Sequence, residues 1–252
     1  MINIENISLV IIAKNAELTI KNTLESLNAF NDVVLFLNDT SDKTVEIAQQ
    51  FTNVNIVEGE FTGFGPTKNQ AASYAKNDWI LSLDSDEVLA EDFILNLSKL
   101  SLDESCVYKI LRSNYYKNRE VKYCWGKDEI VRLYNRKLTS FNDNQVHEYV
   151  LEKDLTVELL SGEVKHYPYS NITDFIIKLD RYSTLFAQDK KGKKKSSPTK
   201  AFFNGGFSFF KTYFLKRGFM DGYAGLVIAF SHMATNFYKY IKLYEANKEL
   251  EK

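Results

Sequence analysis

Three carboxylates follow one short apolar run in this sequence. Residues 79–83, Trp-Ile-Leu-Ser-Leu, predict a buried strand, and Asp84, Asp86 and Glu87 come at its end. Asp84 and Asp86 point to the same side if the strand continues, and they converge on one point if a turn follows. Two carboxylates that close repel each other unless a cation lies between them. A hard divalent ion, Mg²⁺ or Mn²⁺, meets this need and leaves positions for phosphate oxygens, whereas the alternative is a solvated strand end before a helix.

Strands and helices alternate through the first 90 residues. Apolar runs predict strands at residues 7–13, 33–37, 54–57 and 79–83. Helical spacing and capping residues predict helices at 17–30, 44–51 and 67–75, the last capped by Thr67. This order is typical of an α/β fold with a doubly wound parallel sheet, in which ligands bind beyond the carboxyl ends of the strands. The polar residues predicted at that edge are Asn15, Asn38, Asp39, Asp42, Asp84 and Asp86.

Length and composition indicate a globular enzyme-sized chain. The 252 residues are 44% apolar, which is enough to bury a sizeable core, and they predict one catalytic domain, residues 1–168, with an appendage, residues 169–252. Cys106 and Cys124 are the only cysteines, so we expect a reducing compartment and no disulfide framework. The first residues lack the pattern of a signal peptide, and no apolar run approaches the ~20 residues of a spanning helix. These features predict a cytoplasmic protein.

Charge divides the chain into two unlike parts. Residues 1–164 carry 16 lysines and arginines against 26 aspartates and glutamates, whereas residues 165–252 carry 16 against 7. The basic part also holds a lysine cluster at 190–195 and many phenylalanines between 202 and 219. This mixture favours a helix in a membrane interface, and the alternative is a helical appendage packed on the sheet or on a second subunit of a homodimer. Nucleic acid is not an expected partner, because the cluster is short, lacks arginine and belongs to a chain of net charge −1.

Four segments of the front part match a known pattern. They are residues 10–15 (Val-Ile-Ile-Ala-Lys-Asn), 38–48 (Asn-Asp-Thr-Ser-Asp-Lys-Thr-Val-Glu-Ile-Ala), 63–71 and 78–87 (Asp-Trp-Ile-Leu-Ser-Leu-Asp-Ser-Asp-Glu). With these segments the chain resembles the inverting glycosyltransferases of family 2, which have the GT-A fold. The resemblance implies a nucleotide-sugar donor and a divalent metal cofactor.

A second set of segments narrows the resemblance. Trp125-Gly126, residues 131–134, Val146-His147-Glu148 and His166-Tyr167 match small bacterial enzymes that add glucose to the inner core of lipopolysaccharide, and residues 178–183 and 219–225 continue the match. The resemblance implies a UDP-hexose donor, UDP-glucose first, and a glycolipid acceptor of the lipopolysaccharide or lipooligosaccharide core. A glycolipid acceptor in turn implies a protein that is peripheral at the inner face of the cytoplasmic membrane.

The resemblance also assigns roles to single residues. It implies that the donor contacts Ala13, Asn15, Asn38, Asp39 and Asp84. Lys68 is a further donor contact, because it lies at the start of the helix predicted at 67–75, where its ammonium and the helix N-terminus both face phosphate; the alternative is a surface lysine. The resemblance implies that the metal is held by Asp86, with Asp84 sharing its shell and His166 as a further ligand. One departure from the family pattern is Leu37-Asn38, where relatives often carry Asp-Asp or Asp-Ser, and Asp39 is the nearest substitute for the missing carboxylate.

An inverting transfer is a single in-line displacement that needs one general base for the acceptor hydroxyl. The candidates are Asp128, Glu129 and Glu148. Glu148 is favoured because Val146-His147-Glu148 matches the family pattern, and Asp128 is the second choice. The alternative for Glu148 is an ion pair with Arg132 or a lysine.

Two other functions compete with glycosyl transfer. A sugar nucleotidyltransferase also uses a doubly wound sheet with acidic metal ligands, but it needs a glycine-rich loop after the first strand, and residues 13–17 contain no glycine. A membrane-bound scaffold that binds nucleotide sugars without catalysis is favoured only by the Leu37-Asn38 departure.

Overall fold

The computed structural model describes residues 4–144 and 148–250 and divides them into two compact units. The first unit is formed by residues up to 113 together with 127–167. The second is formed by residues 114–126 together with residues from 168 onward. Residues 114–126 thus belong with the C-terminal helices, although they lie within the segment 1–168 that the sequence assigns to the catalytic domain.

The described residues contain nine strands, of which the first four are the strands that the sequence predicts. The strands are β1 Ile7–Ala13, β2 Val33–Leu37, β3 Val54–Glu58, β4 Trp79–Asp84, β5 Glu87–Leu89, β6 Cys106–Tyr116, β7 Arg119–Glu120, β8 Lys127–Asn135 and β9 Thr156–Tyr169. Their order in the sheet is β3-β2-β1-β4-β8-β6-β9-β5, and β7 pairs with β6. Strands β3, β2, β1 and β4 are parallel neighbours, whereas β8 is antiparallel to both β4 and β6. The α/β fold with helices around a parallel sheet is therefore confirmed, and it continues into antiparallel strands.

Two apolar cores cover the two faces of the parallel strands in the first unit. Alternate residues of β1 point to opposite faces, so Leu9 and Ile11 join one core and Val10 joins the other. The first core also takes apolar residues of three helices, and the second takes Ala71 and Ala72 of a fourth helix. The helices of this unit are a short 3₁₀ helix Ile4–Asn6, α1 Ile20–Glu25, α2 Thr44–Ala48, α3 Phe64–Ser73 and α4 Glu91–Lys99. Burial on both faces explains why β1, β2 and β4 are nearly continuous apolar runs.

Helix α3 begins earlier than the sequence predicts. Thr67 was expected to cap it, but the helix starts at Phe64 and Gly63 takes the N-cap position. Thr67 is buried within the first turns, where its hydroxyl accepts a hydrogen bond from the Thr62 N–H at 3.1 Å. Pro66 is tolerated there because the first N–H groups of a helix have no partner inside the helix.

Apart from β7 and the ends of β6 and β9, the second unit is helical. Its helical elements are α5 Ile172–Lys190, α6 Pro198–Phe210, a π-helical turn Lys211–Leu215, a 3₁₀ helix Gly218–Asp221 and α7 Tyr223–Leu250. Asn171 caps α5 in a reciprocal capping box with Asp174, and Ser197 caps α6. Among the described residues, no helix combines the length and the apolar composition that crossing a membrane requires.

Candidate active site

The acidic stretch at residues 84–87 lies where β4 passes into β5. Asp84 is the last residue of β4, Asp86 lies in the turn, and Glu87 begins β5. Glu87 is fully buried, and its Oε2 accepts a hydrogen bond from the Asp84 N–H at 2.9 Å. Glu87 thus closes the turn, while Asp84 and Asp86 meet different partners.

Asp84 lies between two cationic side chains. Its Oδ1 accepts a hydrogen bond from Lys68 Nζ at 2.9 Å, and its Oδ2 accepts one from Arg132 Nη2 at 2.6 Å. Burial acts to raise the pKa of the Asp84 carboxyl, but Arg132, Lys68 and Arg112 outweigh it and hold the pKa well below its usual range. Asp84 is therefore ionised at neutral pH, with its charge balanced by protein cations.

Lys68 joins Asp84 to the favoured general base. Its side chain is only 1% exposed, and its Nζ also donates a hydrogen bond to Glu148 Oε1 at 2.8 Å. The same ammonium lies 5.2 Å from the centroid of the Phe141 ring, within the range of a cation–π contact. Lys68 is thus fixed by two carboxylates and one ring. Its contact with Glu148 is the ion pair with a lysine that the sequence left open as the alternative for Glu148. Of the Val146-His147-Glu148 segment, Val146 and His147 lie outside the described residues.

Arg112 brings the second-choice base to the same cluster. Its Nη1 donates to Glu87 Oε1 at 2.9 Å, and its Nη2 donates to Asp128 Oδ2 at 3.1 Å. Burial acts to lower the pKa of the Arg112 guanidinium, but Glu87, Asp84 and Asp128 outweigh it and raise the pKa. Asp128 is the more open of the two base candidates, since its side chain is 41% exposed and that of Glu148 is mostly buried.

Asp86 faces His166, the predicted metal ligand. Asp86 Oδ2 lies 3.6 Å from His166 Nε2, and the Asp86 carbonyl accepts a hydrogen bond from the Tyr167 N–H at 2.9 Å. The pairing of β5 with β9, in which Glu87 is opposite His166, holds the two side chains together. Two donors that each bind one ion at about 2.1 Å lie no more than about 4.2 Å apart, so this pair fits a single Mg²⁺ or Mn²⁺ ion. Among the described residues, no group of three or more His, Cys, Asp or Glu side chains could hold a metal.

The predicted donor residues at the ends of β1 and β2 form one polar edge. Ala13 is the last residue of β1, and its carbonyl accepts a hydrogen bond from the Asn38 N–H at 3.3 Å. Asn15 Oδ1 accepts one from the Ser41 N–H at 2.8 Å, which ties the two turns together. Asn15 and Asp39 have left-handed backbone conformations, with φ of 51° and 45°. Asparagine and aspartate adopt this conformation more readily than other side-chain-bearing residues.

A polar cavity opens beside this edge. It has a volume of about 290 Å³ and is lined by Leu37, Asp39, Thr40, Val45, Glu58 and Gly59. Its position at the carboxyl ends of β2 and β3 is where ligands bind in sheets of this type.

Most of the sequence of the first unit, together with residues 114–126 of the second, matches a known family. Residues 8–151 match the family described as Glycosyl transferase family 2, which covers more than half of the chain. This chain belongs to glycosyl transferase family 2. It is a glycosyltransferase, and its parallel sheet with flanking helices is the GT-A fold that the sequence resemblance implied.

Similarity to other proteins extends over nearly the whole glycosyltransferase. An uncharacterized glycosyltransferase of Rickettsia felis is 28% identical over 96% of this chain and 90% of its own length. The lipopolysaccharide core biosynthesis glycosyltransferase LpsC of Rhizobium meliloti is 22% identical over 95% of this chain and 92% of its own length. The crystal structure of S. aureus TarS residues 1–349 in complex with UDP aligns with 97% of this chain and 91% of that chain, with a TM-score of 0.47 and 13% identity.

Sequence reasoning assigned no partner to Arg112 or Glu87, and it named Arg132 only as an alternative partner of Glu148. Arg112, Arg132 and Glu87 are mostly or fully buried and bind one another or Asp84. Arg132 lies between Val131 and Leu133 in an apolar part of β8. A charged residue inside an apolar strand requires a buried counter-charge, and this is the signal that could have indicated the cluster.

Proposed function

We propose that this glycosyltransferase moves a hexose, glucose from UDP-glucose first, onto a lipopolysaccharide or lipooligosaccharide core acceptor with inversion at the anomeric carbon. Family membership supports the transfer of a sugar. The lipopolysaccharide core enzyme LpsC, which is similar along nearly the whole chain, supports the acceptor class. The alternative of a sugar nucleotidyltransferase has no support from the family.

One structural observation supports the mechanism above all others. Lys68 Nζ lies 2.9 Å from Asp84 and 2.8 Å from Glu148, so one buried ammonium joins the proposed donor side to the proposed base. An in-line displacement requires the base and the leaving group to lie within one small site. The Lys68 contacts supply that proximity from two segments 80 positions apart in the chain.

Glu148 is the general base in this proposal. Its carboxylate takes the proton from the acceptor hydroxyl while the hydroxyl oxygen forms a bond to the anomeric carbon. The bond from that carbon to the diphosphate oxygen breaks, and UDP leaves with the electron pair. Lys68 holds Glu148 Oε1, so we assign the proton to Oε2. Asp128, held by Arg112, is the alternative base.

Asp86 and His166 are the proposed metal ligands. A carboxylate and an imidazole suit Mn²⁺, and Mg²⁺ sites commonly use one or two carboxylates with the remaining positions left to water and substrate phosphates. When bound, such an ion would neutralise charge on the departing diphosphate. The resemblance implied that Asp84 shares the metal's shell, but its two carboxylate oxygens accept hydrogen bonds from Lys68 and Arg132. Asp84 is therefore proposed to contact the donor and not the ion.

The uridine is proposed to bind at the polar edge of β1 and β2. The contacts assigned to it are Ala13, Asn15, Asn38 and Asp39, beside the cavity of about 290 Å³. Asp39 is partnered only loosely, by Lys14 at 3.3 Å, and both side chains are exposed. The Asp39 carboxylate can therefore turn towards a ribose hydroxyl at little cost.

The glycolipid acceptor places the protein at the inner face of the cytoplasmic membrane as a peripheral protein. The basic charge of the second unit supports this location, because the cytoplasmic leaflet is anionic. A homodimer through the C-terminal helices is the alternative use of that surface.

A UDP-release assay tests the proposed function. Purified protein with Mn²⁺ is offered UDP-glucose in the presence and absence of a deacylated lipopolysaccharide core oligosaccharide. We expect UDP release that depends on the acceptor. A panel of UDP- and GDP-sugars, compared by thermal stabilisation, then identifies the donor that binds most tightly.

The outcomes separate the competing functions. A donor that stabilises the protein without any UDP release, whatever the core acceptor, would indicate a binding scaffold. Release of GDP from a GDP-sugar, without release of UDP from UDP-glucose, would support glycosyl transfer but from a different donor.

A further inference from the structure

Helix α6 turns its apolar face outward. Phe203 and Phe207 are 68% and 62% exposed, and Phe202, Phe210 and Phe214 are also exposed. Phe203, Phe207, Phe210 and Phe214 follow one another at intervals of four, three and four residues, so they form one stripe along α6 and the π-helical turn. A surface helix of a water-soluble protein normally shows the opposite arrangement, with its apolar stripe in the core.

The inward face of α6 is made of small residues. Ala201 and Gly205 of α6 are buried, and so is Thr212 of the π-helical turn that follows. A Cβ atom added to Gly205 would lie 3.1 Å from the Met233 carbonyl oxygen and 3.2 Å from Phe237 Cβ, so glycine allows α7 to approach closely. Contact through small residues is the packing mode of helices that have lipid rather than water around them.

Polar side chains join the same two helices. Asn236 Nδ2 donates to Ser208 Oγ at 2.9 Å, and Thr212 Oγ1 lies 3.0 Å from His232 Nδ1 in a hydrogen bond. Hydrogen bonds between helices are the second feature of packing in lipid. Helix α6 binds α7 through small and polar groups and through Phe209, whose ring lies 5.0 Å from that of Phe230. The outward-facing Phe203 and Phe207 are not needed for that contact.

The exposed rings continue beyond α6. The exposed fractions of six phenylalanines range from 48% to 69%. We use the name aromatic ridge for these residues, Phe202, Phe203, Phe207, Phe210, Phe214 and Phe219. Leu215, Met220 and Tyr223 are exposed beside it. A monomeric soluble protein rarely exposes a contiguous apolar surface of this kind unless the surface binds something.

The segment that carries the aromatic ridge is rich in cations, although Lys190, Lys191 and Lys193 pair with Asp189 or Glu249. Residues 190–220 contain nine lysines and arginines and no aspartate or glutamate. Lys211 and Arg217 are exposed within the span of the ridge. This charge complements an anionic lipid surface and opposes the approach of an identical surface from a second copy.

We propose that the aromatic ridge is the membrane-insertion element of this protein, with α6 lying in the plane of an anionic bilayer and its phenylalanines among the acyl chains. Helix α6 has 13 residues, fewer than the ~20 that span a bilayer, so it lies in the interface. The inference deepens the proposed function, because it names the surface that would keep the enzyme beside a lipid-linked acceptor. It needs neither the donor nor the acceptor to be tested.

Vesicle binding tests the proposal. The full chain is mixed with vesicles of phosphatidylcholine and phosphatidylglycerol, and binding is measured by sedimentation without nucleotide or acceptor. The double substitution Phe203→Ser with Phe207→Ser is expected to weaken binding about 100-fold, because each buried phenylalanine contributes about tenfold in affinity. High salt and vesicles of phosphatidylcholine alone are expected to weaken the binding of the wild-type chain.

A matched control replaces two exposed apolar side chains with serine elsewhere. Leu95 and Leu138 are 55% and 51% exposed in the first unit. The double substitution Leu95→Ser with Leu138→Ser is expected to leave vesicle binding unchanged. Equal loss in the two double variants, or equal binding by the Phe203, Phe207 variant and the wild type, would overturn the proposal.

A fluorescent label measures insertion directly and does not depend on the serine variants folding. Cys106 and Cys124 are both buried, so a single cysteine introduced by Phe207→Cys is the accessible one among the described residues. An environment-sensitive dye there is expected to shift to the blue when vesicles are added, and the same dye introduced by Leu95→Cys is not. A blue-shifted dye at residue 207 without vesicles, together with a dimer in sedimentation, would assign the ridge to a second copy instead.

The vesicle-binding results and the proposed glycosyl transfer can be tested independently of each other. If the Phe203, Phe207 double variant loses vesicle binding but keeps acceptor-dependent UDP release, both the membrane role of the aromatic ridge and the proposed reaction are supported. If the wild type binds vesicles but releases no UDP under any condition, the membrane role of the aromatic ridge stands and the proposed function is overturned.

Discussion

The Lys68 ammonium donates a hydrogen bond of 2.8 Å to Glu148 Oε1 from a position that is 1% exposed. Asp84 accepts a second hydrogen bond from the same ammonium. An ammonium this deeply buried is stable only because both carboxylates accept from it. The pairing therefore links the stability of the first unit to the geometry of the proposed active site.

Replacing Lys68 with methionine is expected to destabilise the protein. Asp84 and Glu148 lose their shared cation, and removing one partner of a buried ion pair costs about 3–5 kcal/mol. Urea denaturation measures the change in the free energy of unfolding. Lys99, an exposed lysine at the end of α4, gives the control, and Lys99→Met is expected to change stability by less than about 0.5 kcal/mol. A similar small change for Lys68→Met would show that the ion pairs contribute no net stability.

Replacing Glu148 with glutamine is expected to reduce transfer about 10²- to 10⁴-fold, which is the usual contribution of a general base. Binding of UDP, measured by calorimetry, is expected to stay within a factor of about two, because Glu148 has no role in binding the nucleotide. Glu152→Gln changes an exposed glutamate four residues away and serves as the control. If Glu148→Gln keeps its activity and Asp128→Asn loses it, the base is Asp128.

The parallel half of the fold follows from the sequence because its strands are buried on both faces. The bounds of β1 and β2 agree with the apolar runs at 7–13 and 33–37, since neither strand contains a solvent-facing position that would break the run. Strands β6, β8 and β9 mix polar and apolar residues, and the sequence gives no comparable signal for them. The start of α3 was missed for a related reason, because Gly63, Gly65 and Pro66 are typical of a loop.

The candidate site was predictable in its residue types and not in its pairings. The apolar run and the carboxylates after it indicated Asp84 and Asp86, and the resemblance supplied Glu148 and His166. The contact between Lys68 and Glu148 joins residues 80 positions apart, and no local pattern encodes such a contact. Lys68 was expected to face phosphate because it follows a helix start, but its ammonium is held inside the cluster by two carboxylates.

Asp86 and His166 are expected to set the affinity for Mn²⁺. The substitutions Asp86→Asn and His166→Gln each remove one of two protein donors that lie 3.6 Å apart, so each is expected to weaken Mn²⁺ binding by at least about tenfold. Electron paramagnetic resonance of free Mn²⁺ measures the affinity in the presence of UDP. Asp92→Asn, on the exposed face of α4, is the control and is expected to bind Mn²⁺ as the wild type does. Unchanged affinity in both variants would place the ion elsewhere.

His232 is expected to make the protein acid-sensitive. Burial, with the nearby Lys216 and Lys239 cations, lowers its pKa to about 4, and Thr212 is its hydrogen-bond partner. The unfolded chain has a histidine pKa of about 6.5, so between pH 6.5 and 4 the unfolded state binds more protons and stability falls as the pH falls. The loss at pH 4 is on the order of 2–3 kcal/mol.

Urea denaturation of the wild type and of His232→Gln at pH 7 and pH 4 isolates this contribution. The difference in unfolding free energy between the two pH values is expected to be smaller in the variant, because glutamine does not titrate. Equal differences in the two proteins would mean that His232 titrates in the folded state as it does in the unfolded chain.

Asp221 is expected to protect the Cys124 thiol. Its carboxylate accepts hydrogen bonds from the N–H groups of Lys122, Tyr123 and Cys124, at 2.9, 3.2 and 2.8 Å. Burial, with the neighbouring Asp221 carboxylate, raises the pKa of the Cys124 thiol to about 12, so the thiol is unreactive in the native protein.

Replacing Asp221 with alanine leaves three N–H groups without their acceptor and removes the negative charge beside the thiol. The segment then opens more often, and alkylation of Cys124 is expected to accelerate about a hundredfold or more. Mass spectrometry of the peptide containing Cys124 measures the rate apart from that of Cys106. Asp189→Ala, at an exposed aspartate of α5, is expected to leave the rate unchanged. A rate in Asp221→Ala equal to that of the wild type would show that packing of the helices alone keeps reagents from the thiol.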